Sequence, residues 1–302
     1  MKILLTGGTG LIGRALCHYW LSQGYELFVW SRRPELVPTL CGPTVRGFAQ
    51  LSEIQNIELD AVINLAGAPI ADRHWTPRRK ALLLNSRVGL TTELIQWLRQ
   101  RTQRPAVLIS GSAVGWYGAA QDHPLEEQDT VVTHDFASYL CNQWEQAAQP
   151  AEELGIRVIF IRTGIVLSAE GGMLKRLLPP FKLGLGARLG SGQQWMSWIH
   201  LHDQIQLIAF LLHEPTAHGP YNACAPLAVR NSEFTQQLAQ TLHRPTFLVL
   251  PDRLLRLGFW EMATMLLCGQ RVVPTKLTEV GFNFQFPNLS SALSHLLKHK
   301  TS

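Results

Sequence analysis

The chain has 302 residues, 46% of them apolar and 16% charged, and a net charge of +5. That apolar share supports a large core and excludes a disordered chain, and no run approaches the roughly 18 apolar residues of a membrane-spanning helix. The basic residues stand in small groups (Arg32-Arg33, Arg78-Arg79-Lys80, Lys298–Lys300) with no stripe interleaved with aromatics, so the positive charge points to phosphate-bearing small molecules rather than nucleic acid.

Lys2–Leu5 reads as a short apolar strand. Thr6-Gly7-Gly8-Thr9-Gly10-Leu11-Ile12-Gly13 is a glycine-rich turn that runs straight into an apolar-periodic helix (Leu11, Ile12, Ala15, Leu16, Tyr19, Trp20). Such a turn brings bare backbone against a dinucleotide. Gly7 permits the tight turn, Gly10 lets the main chain approach the pyrophosphate, and Gly13 lets the helix sit close to the strand. The helix N-terminus, with Thr9, Leu11 and Ile12 around it, offers unpaired N–H groups and a positive dipole end to the phosphates.

Glu26–Trp30 is the next strand, Val45–Phe48 a weaker one and Asp60–Ala66 a clear one. Thr76–Arg101 reads as one long helix with Pro77 at its start. Ala106–Ser110 is a strand, Phe136–Leu154 a helix ended by Gly155, and Arg157–Arg162 a closing strand. Strands alternating with helices predict an α/β fold, a Rossmann-type doubly wound parallel sheet whose ligands sit at the carboxyl edge where strand order reverses. After about residue 165 the pattern changes. Gly171-Gly172 and Pro179-Pro180 bracket a short helix, glycines 184–192 mark an open stretch, and helices are expected near Asp203–Leu212, Ser232–Leu242, Leu254–Leu267 and Leu289–Leu297. The expected division is 1–165 for dinucleotide binding and 166–302 for a smaller mixed substrate-binding domain, with a strand near 219–223 a candidate to return to the main sheet. The chain starts in a core strand without a leader, and its five scattered cysteines form no CxxC pair, so a cytoplasmic protein with reduced thiols is expected.

An NAD site usually carries an acidic residue about 20 residues past the glycine turn. Here that position reads Trp30-Ser31-Arg32-Arg33. A carboxylate would repel a 2′-phosphate, whereas a guanidinium grips it through two parallel charge-assisted hydrogen bonds. Arg32, with Ser31 beside it, therefore points to NADP.

These residues, with NLAGAPIADRHWT (64–76), NSRVGLTTEL (85–94), SGSAVGWYG (110–118), RTGIVL (162–167), LPPFKLGLGARLGSGQQWMSWIHLHD (178–203), GPYNACAP (219–226) and GQRVVPTKL (269–277), resemble the extended short-chain dehydrogenase/reductase superfamily, and within it the "epimerase family" subgroup of the YfcH type. The resemblance spans nearly the whole chain. It implies an NADP-binding Rossmann domain and a smaller C-terminal substrate domain, in a superfamily whose members act on nucleotide sugars. It also implies that Leu65, Ala66 and Gly67 line the cofactor, that Arg87 and Ser110 contact it, that Ser112 is the active-site serine, and that the stretch from Arg162 to Ile165 approaches the nicotinamide.

One departure matters. The superfamily's chemistry uses a Tyr with a Lys four residues later, on one helix face. The ammonium lowers the phenol's pKa from its unaided value near 10, so the phenolate can accept a proton as hydride leaves. Aligning Glu145 with the acid that commonly follows puts Ala137 and Cys141 at those positions, and none of the five tyrosines has a Lys four residues on. Three explanations stand: another acid/base, with Ser112 and Tyr117 the candidates, Tyr117 reading equally well as an aromatic packed under the substrate; NADP binding without turnover, as a regulator or scaffold; or hydride transfer with substrate-assisted proton movement.

Other residues carry paired readings. His200-Leu201-His202-Asp203 suggests cleft-lining histidines with Asp203 capping the following helix, in preference to a metal site. Trp195 and Trp198 fit a cleft wall against a flat or sugar-like ligand, or plain packing. Arg271 and Lys276 could hold a substrate phosphate or carboxylate, or be solvated; His74 and Trp75 are placed at the substrate mouth. The expected protein is an NADP(H)-binding oxidoreductase or epimerase acting on a small, sugar-nucleotide-like substrate, as a monomer or homodimer.

Overall fold

In the computed structural model, residues 1–119, 122–130 and 135–298 are described, and the basic group beginning at Lys298 ends outside them. The first half runs β1 (Lys2–Thr6), α1 (Leu11–Ser22), β2 (Glu26–Trp30), α2 (Val37–Cys41), β3 (Arg46–Phe48), β4 (Ala61–Asn64), α3 (Pro77–Leu84), α4 (Leu90–Arg99), β5 (Val107–Ala113), α5 (Phe136–Ala148) and β6 (Arg157–Thr163). The second half runs β7 (Ile165–Leu167), α6 (Gly172–Lys182), β8 (Ala187–Leu189), β9 (Trp195–Met196), β10 (Trp198–His200), α7 (Leu201–His213), β11 (Gly219–Ala223), β12 (Val229–Arg230), α8 (Asn231–Thr241), β13 (Leu248–Leu250), α9 (Asp252–Phe259), α10 (Ala263–Leu267), α11 (Thr275–Glu279) and α12 (Leu289–Lys298).

Seven strands form one parallel sheet in the order β11-β6-β5-β4-β1-β2-β3. Strand order reverses at β1, where Thr6 pairs with Trp30 on one side and Asn64 on the other. The loops leaving β1, β2 and β4 therefore meet at one carboxyl edge, the place such sheets bind ligands. Side chains alternate across the sheet with a period of two. Ile3, Leu5, Val29, Ile63 and Ile109 face α1 and α7, while Leu4, Phe28, Val62 and Leu108 face α4 and the end of α5. A third cluster, built from α6, α8, α12 and Trp198, forms the core of the later residues. β11 closes the sheet beside β6, and α7 packs into the first cluster, so the stretch after residue 165 contributes to the main layer as well as to its own. Among the described residues no helix is long and apolar enough to cross a membrane.

Four local readings are corrected. The helix expected over 76–101 contains a π-turn at Asn85–Gly89, a device that changes which face a side chain presents. Thr76 caps its start, accepting from the N–H of Arg79 at 3.2 Å ahead of Pro77. Pro179 and Pro180 lie inside α6 rather than beyond it. The expected 254–267 helix is split at a 3₁₀ turn, where Trp260 takes φ 52°.

The last correction concerns Asp203, which does not cap. The N-cap of α7 is His200, whose Nδ1 accepts from the N–H of His202 at 2.9 Å, while the Asp203 carboxylate accepts from the N–H groups of Gln285 and Phe286 at 3.0 Å. His200 stacks on Phe286 at 4.0 Å between centroids and meets His295 Nδ1 at 3.2 Å through Nε2. With Nδ1 accepting, the neutral ring carries its proton on Nε2 and donates it to His295.

Burial, with His295 and His202 nearby, pushes His200 down to about 3. The unfolded chain binds this proton near pH 6.5 and the folded chain does not, so stability falls as pH drops from about 6.5 towards 3, by at most ~1.4 kcal/mol per pH unit. His200→Asn keeps a cap acceptor and does not titrate. Thermal melts across that window are expected to show a shallower slope for the variant, and an unchanged slope would remove His200 as its source.

Candidate functional site

Gly7 leaves β1 with φ +70°, and a Cβ there would lie 2.6 Å from the Leu65 carbonyl oxygen. The turn closes through the N–H of Gly10 on the Gly7 carbonyl at 2.9 Å. A Cβ on Gly13 would collide with the backbone of Gly7 and Gly8, so only glycine lets α1 sit against the loop at that position. Gly10 is the extended N-cap of α1 and makes no side-chain cap bond, and the first turn holds no acidic residue. The early N–H groups of Leu11, Ile12 and Gly13 thus stay available, on a turn whose close backbone packing at Gly7 and Gly13 leaves no room for a Cβ. Ile12 also packs on the core, and a Cβ on Gly171 would lie 3.0 Å from the Leu11 side chain.

Ser31 and Arg32 follow β2, beside this loop. The Ser31 hydroxyl accepts from the N–H of Arg33 at 3.1 Å. Arg32 is exposed, and no ion pair involves it among the described residues.

The third side of the cradle leaves β4. Asn64 is fully buried and joins four elements: it accepts from Thr6 Oγ1 at 2.7 Å and donates to Thr91 at 2.8 Å and Ser110 at 3.1 Å. Thr6 in turn accepts from the N–H of Ala66 at 3.1 Å, and the Trp144 indole donates to Thr91 at 3.2 Å. Ser110 therefore belongs beneath the loop, fixing Asn64, rather than at its surface. Asn64, Thr91 and Trp144 were not singled out in the sequence because their partners lie 27 to 58 residues away. A Cβ on Gly67 would lie 2.7 Å from the Arg87 guanidinium carbon. Arg87 sits in the π-turn, donates to the Ala68 carbonyl at 3.1 Å and lies 5.2 Å from the Trp144 ring centroid. Burial lowers its pKa, and among the described residues no carboxylate pairs with it. A half-buried cation pressed against the Leu65-Ala66-Gly67 loop suits an anionic ligand there.

Ser112 and Tyr117 both belong to a buried hydrogen-bonded network, in keeping with the packing reading of Tyr117. Leu108, Ser110 and Ser112 share one strand face, so Ser112 turns towards α5. Its hydroxyl donates to Glu145 Oε1 at 2.6 Å. Arg162 grips both oxygens of the same carboxylate at 3.0 Å and donates to the Tyr117 hydroxyl at 3.1 Å. That hydroxyl has Asn222 Oδ1 at 2.8 Å and the Glu126 carbonyl at 2.9 Å as its acceptors. Asn222 N–H continues the chain to Glu127 at 3.0 Å. Burial pushes the Tyr117 phenol up to about 12 in spite of Arg162, and its ring is fully enclosed. These residues form a buried brace across β5, α5, β6 and β11. Neither Ser112 nor Tyr117 lines the adjoining cavity.

That cavity, about 370 Å³, opens between the end of β5, the start of α5, the β6–β7 link, α6, β9 and α10. Ala137 and Cys141 both line it, as do Ile165, Trp75 and Trp195. Burial pushes the Cys141 thiol up to about 12, so it stays neutral at ordinary pH. Trp198 and His200 are buried away from it, in packing roles. Arg271 stands 5.0 Å from the Trp195 ring and Lys276 4.2 Å from the Tyr221 ring, neither on the cavity wall; His74 also lies outside, near Trp260 at 6.4 Å.

The sequence profile of the NAD dependent epimerase/dehydratase family matches residues 3–224, and that of a domain of unknown function, DUF1731, matches residues 250–296. An epimerase family protein of Mycobacterium bovis is 43% identical over 295 residues, covering 97% of this chain and 96% of the relative. One from Staphylococcus haemolyticus is 36% identical over 298 residues, covering 98% and 99%. Among solved structures, the human epimerase family protein SDR39U1 (isoform 2), determined with NADPH, superposes with a TM-score of 0.89 at 32% identity, covering 99% of both chains.

Proposed function

The chain belongs to the NAD dependent epimerase/dehydratase family, of the extended short-chain dehydrogenase/reductase type that binds a nicotinamide dinucleotide, and from that premise we propose that it is an NADP(H)-dependent oxidoreductase or epimerase of small molecules. The observation that carries the choice of NADP is Arg32, an exposed cation without an ion-pair partner among the described residues, where an NAD site would hold an acid. The NADPH in the human relative supports the same reading. The N–H groups at the start of α1 hold the pyrophosphate, Arg32 and Ser31 hold the 2′-phosphate, and Arg87 faces the cofactor from the β4 side. The dinucleotide supplies or accepts a hydride when bound. Residues up to about 165 carry the cofactor, and those beyond supply the substrate wall. Five free cysteines, four of them buried, fit a reducing cytoplasm.

One observation favours a second reading, binding without turnover: Ala137 and Cys141 bring no phenol and no ammonium to the cavity, and the thiol stays protonated. Calorimetric titration tests the first step common to both. NADPH is expected to bind one per chain at least tenfold tighter than NADH; equal affinities would refute the NADP assignment. Turnover of NADPH with a bound carbonyl compound then separates enzyme from regulator.

A further inference from the structure

We propose that the cavity beside Ala137 and Cys141 takes an uncharged, predominantly apolar molecule rather than a sugar nucleotide. The inference rests on reading that cavity as the nicotinamide-facing site. Its walls are the first argument. Met173, Leu177 and Phe181 repeat at four-residue spacing and present one stripe of α6 to the cavity, while Leu174 and Leu178 go to the core behind. Trp195, Met196 and Phe234 face them.

Charge is the second argument. Asp135 and Glu261 are the charged side chains on the wall among the described residues, and both are acidic. Asp135 caps α5 through the N–H of Ser138 at 2.8 Å, and Glu261 pairs with Lys80 at 2.6 Å, so neither faces the ligand as a free cation binder. A nucleoside diphosphate carries at least two negative charges, and burying them without cations is prohibitive. Arg230 and Arg271 stand over Trp195, outside the wall, with Arg230 already paired to Asp122 at 2.8 Å, and Arg87 and Arg162, whose charges reach Cys141, are off the wall as well.

The mouth is the third. Met265 lines the cavity and is 40% exposed, and the α9–α10 segment around it also exposes Leu254, Leu257 and Trp260. Met265, exposed and yet on the wall, gives an apolar ligand an apolar point of entry, and soluble proteins rarely leave large exposed apolar surface without a use.

Prodan, an uncharged naphthyl ketone, tests the inference on protein loaded with NADPH. NADPH affinity is measured separately, so a failure of cofactor binding counts against the proposed function and not against this step. Prodan is expected to bind saturably with blue-shifted emission, and millimolar UDP-glucose is expected not to displace it. Leu177→Arg, which puts a cation on the wall, is expected to weaken prodan at least tenfold and leave NADPH affinity within twofold. Met173→Trp, which fills the space and keeps it apolar, serves if the arginine variant fails to fold, with the same expected loss. Displacement of prodan by UDP-glucose, or prodan binding unchanged in a folded Leu177→Arg or Met173→Trp variant, would overturn the assignment.

Discussion

Arg162→Met is expected to cost about 3–5 kcal/mol of folding stability, the range for breaking one side of a buried ion pair. The guanidinium satisfies both oxygens of Glu145, supports the Tyr117 hydroxyl and lies 3.5 Å from the Trp116 ring centroid. Methionine fills much of the volume but leaves a carboxylate enclosed with only the Ser112 hydroxyl. The exposed pair of Arg99 and Glu153, 3.5 Å apart, gives the control: Arg99→Met should move stability by no more than about 0.5 kcal/mol. Adding Glu145→Leu to Arg162→Met removes the orphaned charge and should recover part of the loss. Urea denaturation measures all four proteins. A loss below about 1 kcal/mol for Arg162→Met would mean that the brace is not a structural support.

Arg32→Glu is expected to weaken NADPH about 100-fold while NADH changes by less than about threefold. Losing a bidentate guanidinium–phosphate contact removes ~2–3 kcal/mol, and each 1.4 kcal/mol is tenfold in affinity. Because Arg32 is exposed, the effect should shrink as salt rises. Titrating variant and parent with both cofactors at two ionic strengths reads the result. Equal weakening of both cofactors would assign Arg32 to the fold or to the shared part of the dinucleotide.

What the sequence revealed was local. The glycine turn could be read because its determinants lie within seven residues and Gly7, Gly10 and Gly13 each answer a backbone contact within the same loop or the adjoining β4 exit. Ala137 and Cys141 came from aligning Glu145 with the acid of the superfamily pattern that the chain resembles, and both line the cavity. The brace was not legible because its side-chain contacts from Ser112, Tyr117 and Glu145 reach residues 17 to 105 away, and nothing beside Ser112 or Tyr117 in the chain announces Glu145 or Asn222. Strand parity carried a usable signal: Ser112 shares a face with Leu108, which points to α4 and α5 and not to the ligand edge. The π-turn that seats Arg87 and the continuation of α6 through two prolines are tertiary outcomes that intrinsic preference opposes. The apolar wall was spelled in the Met173, Leu177 and Phe181 spacing, but the pattern alone does not say whether such a stripe meets core or cavity.

The central claim, that the opening turn and Arg32 together hold the phosphates of NADP, is tested most directly by a crystal structure of the protein grown with NADPH. The account predicts pyrophosphate oxygens on the N–H groups that open α1, the adenosine 2′-phosphate within hydrogen-bond distance of the Arg32 guanidinium, and the nicotinamide ring at the wall formed by Ala137 and Cys141. A dinucleotide bound away from the glycine turn, or a 2′-phosphate facing solvent with Arg32 turned aside, would contradict it.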